Sequence, residues 1–166
     1  MMKRLALLFS LIILSFSTDG MAQATASFTA SVTIIQPIGI INTANMNFAN
    51  LDAKSGGTVV LGPDNTRSSQ GGIELTDGNT VSAATFEVTG QAGYTYSITL
   101  PNSDHVLTNG IDDIIIKDFT SSLKDEGSLA SGSQTLRIGA SLDINPNQPP
   151  GNYTSPGGFN VCVNYN

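Results

Sequence analysis

GQAGYTYSITLP, residues 90–101, places Tyr94, Tyr96, Ile98 and Leu100 on alternate positions, with Thr95, Ser97 and Thr99 between them. A period of two puts the four larger side chains on one face, so the stretch reads as a strand with a dry side and a wet side. Pro101 cannot donate to a sheet ladder and, with Asn102, ends it. Gly90 to Gly93 joins it to Ala83–Thr89, which carries Phe86 and Val88, and the pair reads as a hairpin with a short loop. What covers the dry side becomes the functional question.

Outward from this strand the same pattern recurs. Phe28, Ala30, Val32 and Ile34 alternate with Thr29, Ser31 and Thr33 before Pro37 interrupts, and Ile38–Ile41, Met46–Phe48 and Leu51 follow. Turns at Ser55-Gly-Gly57 and Pro63-Asp-Asn65 lead into Thr58–Leu61 and Gly72–Leu75. Val106, Leu107 and the apolar run Ile111–Phe119 come next, then a polar stretch, Ser121–Ser133, that reads as loop. Leu136, Ile138, Ala140, Leu142 and Ile144 alternate with polar or small residues, and Tyr153 begins a last segment in which Phe159, Val161, Val163 and Tyr165 face one way. No 3.6-residue period is sustained. Seven or more short half-buried strands predict an all-β fold, a single antiparallel β-sandwich of immunoglobulin-like or pilin-like kind. A closed outer-membrane barrel would call for aromatic girdles, and the chain has no Trp.

The first residues read as an address. Lys3 and Arg4 precede the apolar stretch Leu5–Phe16, too short to span a bilayer comfortably, and Ala22-Gln-Ala24 supplies small residues where a signal peptidase cuts. The reading is a cleavable signal peptide over residues 1–24, a single domain over 25–166, and export to the periplasm, cell surface or extracellular space without stable membrane insertion. Of the 7 basic and 13 acidic residues, Lys3, Arg4 and Asp19 fall in that leader, leaving 5 and 12 and a net charge of −7. Such a surface repels phosphate backbones, which argues against nucleic acid as a partner. Cys162, the sole cysteine, has no partner for an internal disulfide; inside Val161-Cys-Val163 it reads as a small core or interface residue.

Catalytic chemistry has no foothold. His105, the one histidine, sits in Asn102-Ser-Asp-His105 without a nucleophile-elbow pattern, and reads as an exposed loop residue. Asp104, Asn109, Asp112 and Asp113 offer oxygen atoms of the kind calcium takes but lack EF-hand spacing. The chain is therefore read as no enzyme, with no catalytic, cofactor-binding or metal-ligating residue assigned.

Several stretches carry a resemblance: Ser55-Gly-Gly-Thr-Val-Val60, Arg67-Ser-Ser-Gln-Gly-Gly-Ile73, Phe86 through Pro101, Leu136-Arg-Ile-Gly-Ala-Ser-Leu142, and Pro150-Gly-Asn-Tyr153 with Val161–Tyr165. Together they resemble the bacterial "domain of unknown function 4402" family over essentially the whole chain beyond the leader. The resemblance implies an exported bacterial β-sandwich with no catalytic residues to carry over. The Pro-Gly-x-Tyr turn and the alternating terminal strand also resemble spore coat protein U and the pilin-like sandwiches of chaperone–usher fibres, although the cysteine pair of many pilins is missing. That second resemblance implies a surface or fimbria-like structural subunit whose partners are copies of itself or other surface subunits, with a periplasmic chaperone.

In pilin-like sandwiches a neighbour's N-terminal extension supplies a missing strand. Phe28, Ala30, Val32 and Ile34 are the candidate donor strand, and Phe159, Val161, Val163 and Tyr165 the candidate C-terminal assembly strand. Burying four such apolar side chains is worth about 6 to 12 kcal/mol gross, against a domain stability of about 5 to 15 kcal/mol. Two placements stay open: donation to a neighbour, or pairing of Phe28–Ile34 within its own domain. The alternative function is a self-contained carbohydrate- or ligand-binding module that uses loops such as Asp104–Asp113.

Overall fold

The computed structural model describes residues 22–76 and 80–166. The expected leader lies almost wholly outside the described residues. One unit of the chain ends at Ile34 and the other spans Ile35–Asn166. Among the described residues every strand belongs to the second: β1 (Gly39–Ala44), β2 (Leu51–Asp52), β3 (Gly57–Leu61), β4 (Arg67–Gly71), β5 (Glu74–Leu75), β6 (Ala84–Thr89), β7 (Tyr94–Thr99), β8 (His105–Thr108), β9 (Asp113–Ser121), β10 (Glu126–Leu129), β11 (Ser133–Ile144) and β12 (Cys162–Tyr165). All ladders are antiparallel, and the described residues hold no helix.

The long strand β11 is the spine. Its first half, Ser133–Ile138, pairs with β6, and its second half, Ala140–Ile144, pairs with β3 on the same edge. The opposite edge carries β9, which in turn carries β8. With β1 beside β6 and β4 beside β3, this makes a seven-stranded sheet. A second sheet has the order β10-β7-β12, and β2 and β5 form a separate pair.

The quoted strand, β7, behaves as its alternation requires at the centre. Tyr96 is fully buried and Ile98 nearly so, whereas Tyr94 at the start is 40% exposed. The expected hairpin with Ala83–Thr89 does not form. β6 belongs to the seven-stranded sheet and β7 to the three-stranded one, so Gly90–Gly93 arches between sheets. The short loop and flanking alternation are equally compatible with an arch, because both faces of such a link point inward at the same cluster. Ser121–Ser133 is not simply loop either. It contains the end of β9 and all of β10, whose Gly127 and Leu129 are buried between exposed Glu126 and Ser128.

Burial resolves into two apolar clusters along β11. Val88, Leu136 and Ile138 of the large sheet meet Tyr96, Ile98 and Leu129 of the small sheet. Val59, Leu61, Ile114, Ile116, Ala140, Leu142 and Ile144 form the other cluster, joined by Phe48 and Ile73. No strand of the three-stranded sheet contributes a buried residue to this second cluster; its cover is loop together with Leu51 of β2 and Leu75 of β5. The three-stranded sheet therefore roofs only one end of the large one.

Candidate functional site

A cleft of about 1270 Å³ opens over the loop-covered end. Its floor is Ile114, Ile116, Ile138, Leu142 and Ile144, from β9 and β11. Inward alternation on two adjacent strands supplies such a floor directly. One wall is the segment 45–54, which includes β2, and the other the segment 147–161. Floor residues such as Ile116 and Leu142 are nearly closed to water, so the accessible lining lies on these walls.

Each wall is held by identifiable bonds. Arg67 of β4 donates from its guanidinium to the carbonyl oxygens of Phe48, Asn50 (3.0 Å) and Thr76 (3.0 Å), and the Thr76 hydroxyl donates to the same Asn50 oxygen at 2.9 Å. A planar fork with five donors suits three converging carbonyls better than a lysine would. On the other wall, Thr108 and Thr154 exchange two backbone bonds of 2.9 and 3.0 Å. The Tyr153 hydroxyl donates to the Pro149 carbonyl at 2.8 Å and accepts from the Gln148 amide at 3.0 Å. Phe159 lies 5.3 Å from both the His105 and the Phe119 rings, centroid to centroid.

β1 and β12, like β4, β8 and β10, are edge strands with a ladder on one side only. Among the described residues β1 pairs only with β6, and β12 only with β7. Ile38 and Ile40 on the β1 side, and Val161, Val163 and Tyr165 on the β12 side, pack half-buried against the same apolar cluster. At one end the two strands are tied: the Tyr165 hydroxyl donates to the Gln36 carbonyl at 2.8 Å and accepts from the Gln91 backbone N–H at 2.6 Å. Half-burial of an inward-facing apolar row beside an unpaired backbone edge is the geometry that strand addition exploits.

The sequence-read site residues divide sharply. Val161, Val163 and Tyr165 pack half-buried against one apolar cluster and Phe159 against the other, and strand geometry begins only at Cys162. Phe28, Ala30, Val32 and Ile34 are all exposed, Phe28 by 93% and Ile34 by 90%, and no residue from 22 to 38 is in a strand. Cys162 is exposed and free rather than in the core, because inward Val161 and Val163 flank it and alternation turns it outward. His105 is not in a loop; it opens β8, half-buried against Phe119 and Phe159. Asn109 uses its side-chain oxygen to accept from the N–H groups of Ile111 and Asp112, shaping the β8–β9 turn. Among the described residues no three His, Cys, Asp or Glu side chains converge as metal ligands would.

Sequence reasoning passed over the Arg67 fork and the Tyr165–Gln36 tie. The signal for the first was an arginine alone among small polar residues in Arg67-Ser-Ser-Gln-Gly-Gly-Ile73. The second joins residues 129 positions apart and left no local trace.

Antiparallel sheets, with a cleft over one of two apolar clusters, make this an all-β chain. The family model described as "Domain of unknown function (DUF4402)" matches residues 38–165, and the chain belongs to that family. No curated protein and no solved structure matches the chain.

Proposed function

We propose that the chain is a non-enzymatic structural subunit of a bacterial surface or fimbria-like assembly, an incomplete β-sandwich that polymerises by strand donation. A leader over residues 1–24 directs its export. One observation carries the reading: an alternating apolar segment, Phe28–Ile34, stands exposed and outside any strand, while β1 and β12 each keep an unpaired edge beside a half-buried apolar row. Exposed Phe and Ile side chains in a polar, acidic protein mark a contact surface rather than a solvated tail. A second copy's segment supplies both the missing ladder and the missing apolar cover.

Electrophoresis of purified protein in mild detergent, with and without boiling, tests this. A ladder that collapses on boiling supports the proposal, and a lone monomer band at high concentration sinks it. Phe28→Asp with Val32→Asp sharpens the test. Exposed positions contribute within about 0.5 kcal/mol to a domain's own stability, so the variant should keep the wild-type melting curve and lose the ladder.

A second reading, a carbohydrate-binding module, draws on the cleft walls, which present Asn45, Asn47, Asn50, Asn147 and Asn152 with Tyr153. Amides and aromatic faces are what a neutral sugar recognises. Glycan-array binding that survives the Phe28→Asp, Val32→Asp change but fails in Asn50→Ala, Asn147→Ala would favour it.

A further inference from the structure

We infer that Asn109 is a site of unaided covalent modification: in the folded protein its side-chain amide closes onto the Gly110 nitrogen, expels ammonia, and leaves an aspartyl or isoaspartyl link in the β8–β9 turn. Asn109 is the one asparagine of the chain that glycine follows. A side chain on the following residue would shield its peptide nitrogen. Gly110 has none, its φ is +93°, and nothing lies within 4 Å of where a Cβ would stand.

The turn treats the two ends of the Asn109 amide differently. Its oxygen, Oδ1, accepts from the Ile111 and Asp112 backbone N–H groups at 2.9 and 2.8 Å. Its nitrogen, Nδ2, donates to no acceptor among the described residues and lies against Gly151, where a Cβ would stand 3.1 Å from it. Two donors aimed at a carbonyl oxygen stabilise the negative charge that develops there when a nucleophile adds to the carbon. The nucleophile is the adjacent nitrogen. The bond from the Ile111 N–H folds Cγ back over the Gly110 peptide, and the Gly110 N–H donates to the Thr108 hydroxyl at 3.0 Å, which fixes the plane of that peptide. Holding the two groups together removes the entropic cost of their meeting.

The reaction balances with water and hydroxide alone. Hydroxide takes the Gly110 N–H proton, the nitrogen bonds to Asn109 Cγ, and the carbonyl electron pair moves onto Oδ1. Its return breaks the Cγ–Nδ2 bond, and Nδ2 leaves as ammonia with a proton from water, which restores the hydroxide. The Gly110 nitrogen now sits between two carbonyl carbons in a succinimide ring, and water opens one of its two bonds to them. Opening at Cγ gives an aspartyl residue. Opening at the main-chain carbon gives isoaspartyl, with the backbone running through Cβ and Cγ. The aspartyl product sets a carboxylate against Gly151, which lines the cleft, and the isoaspartyl product lengthens the main chain beside the Thr108–Thr154 bridge. Either way the 147–161 wall changes with the age of the molecule.

Purified protein is aged at neutral pH, folded or unfolded in guanidinium chloride, then digested. Mass spectrometry scores the peptide carrying Asn109 for exchange of amide for acid, and enzymatic methylation scores isoaspartyl. The folded protein should convert at Asn109 several-fold faster than the unfolded chain, with Asn102, which Ser103 follows, lagging in both. Gly151→Ala crowds the leaving nitrogen only when the chain is folded, because residues 109 and 151 meet through the fold. It should slow conversion in the folded protein and leave the unfolded rate unchanged.

Conversion in the folded wild type that is equal to or slower than in the unfolded chain overturns the inference. So does a Gly151→Ala protein that melts as the wild type does and converts at the wild-type folded rate.

Discussion

Gly127 on β10 is the cross-strand partner of Tyr96 on β7, and the Tyr96 ring lies over its Cα so closely that a methyl group there would fall inside the ring. The ring is fully buried, its hydroxyl donates to the Gln134 side-chain oxygen at 2.9 Å, and burial raises its pKa above the ordinary phenol value. Gly127→Val must therefore push Tyr96 out of its rotamer or split the small sheet from the large one. Overpacking of this kind costs about 1 to 3 kcal/mol, and more where the neighbour cannot move. Tyr96→Phe removes one hydrogen bond and should cost only about 0.5 to 1.5 kcal/mol. Urea midpoints at constant slope will rank the two, and a Gly127→Val protein as stable as Tyr96→Phe would refute the contact.

Gly139 stands at the changeover on β11, between the half paired with β6 and the half paired with β3. A Cβ there would meet the Leu61 carbonyl oxygen and the Gly62–Pro63 backbone, none of which can rotate away. Gly93, by contrast, has φ of +84° and open space around it. Gly139→Ala should destabilise by well over the roughly 1 kcal/mol expected from backbone strain at Gly93→Ala. Thermal melts of the two variants side by side decide it.

The fold class was legible because alternation in Tyr94–Leu100 and Leu136–Ile144 needs only local periodicity. Partner choice was not. β6 and β7 look like a hairpin in sequence, yet their inward residues are claimed by different sheets around one cluster. β10 was hidden because its inward positions are Gly127 and Leu129: the glycine, which leaves room for Tyr96, erases the hydrophobic signal. Phe28–Ile34 shows the converse, a perfect alternation with no sheet beneath it. Periodicity reports which face wants to be dry, and is silent on what will dry it. The cleft, made from floor residues of the spine and walls almost a hundred positions apart, had no sequence signature beyond its isolated Arg67.

Lys117 of β9 pairs with Asp143 of β11, whose other carboxylate oxygen accepts from the Thr58 hydroxyl at 2.9 Å. The ammonium first, and then the hydroxyl, hold the Asp143 carboxyl below the ordinary aspartate range against the opposing effect of desolvation. A group with a depressed folded pKa takes up a proton in the unfolded chain first. The stability it contributes is present above the unfolded value and is lost as pH falls through the folded one. Asp143→Asn should thus lower the neutral plateau of a stability-against-pH curve and flatten its acid limb, the two proteins converging at low pH. An acid limb as steep as that of the wild type would rule the pair out as a contributor.

Tyr165 offers a coupling test of the tie between β1 and β12. Its hydroxyl donates to Gln36 and accepts from Gln91, while its ring meets Tyr94 edge-on at 5.5 Å. Tyr165→Phe keeps the ring and loses both bonds, for about 1 to 2 kcal/mol. A Cβ at Gly90 would collide with that same hydroxyl and approach Leu129 Cδ1 at 2.9 Å. Gly90→Ala alone should therefore displace Tyr165 and cost more than Tyr165→Phe. With the hydroxyl already gone, the added methyl has space on that side, so the double variant should be more stable than the sum of the single losses implies. Contacting pairs couple by about 0.5 to 3 kcal/mol in such cycles. Strict additivity would mean that the hydroxyl does not sit above Gly90, and that β1 and β12 are not joined at that end.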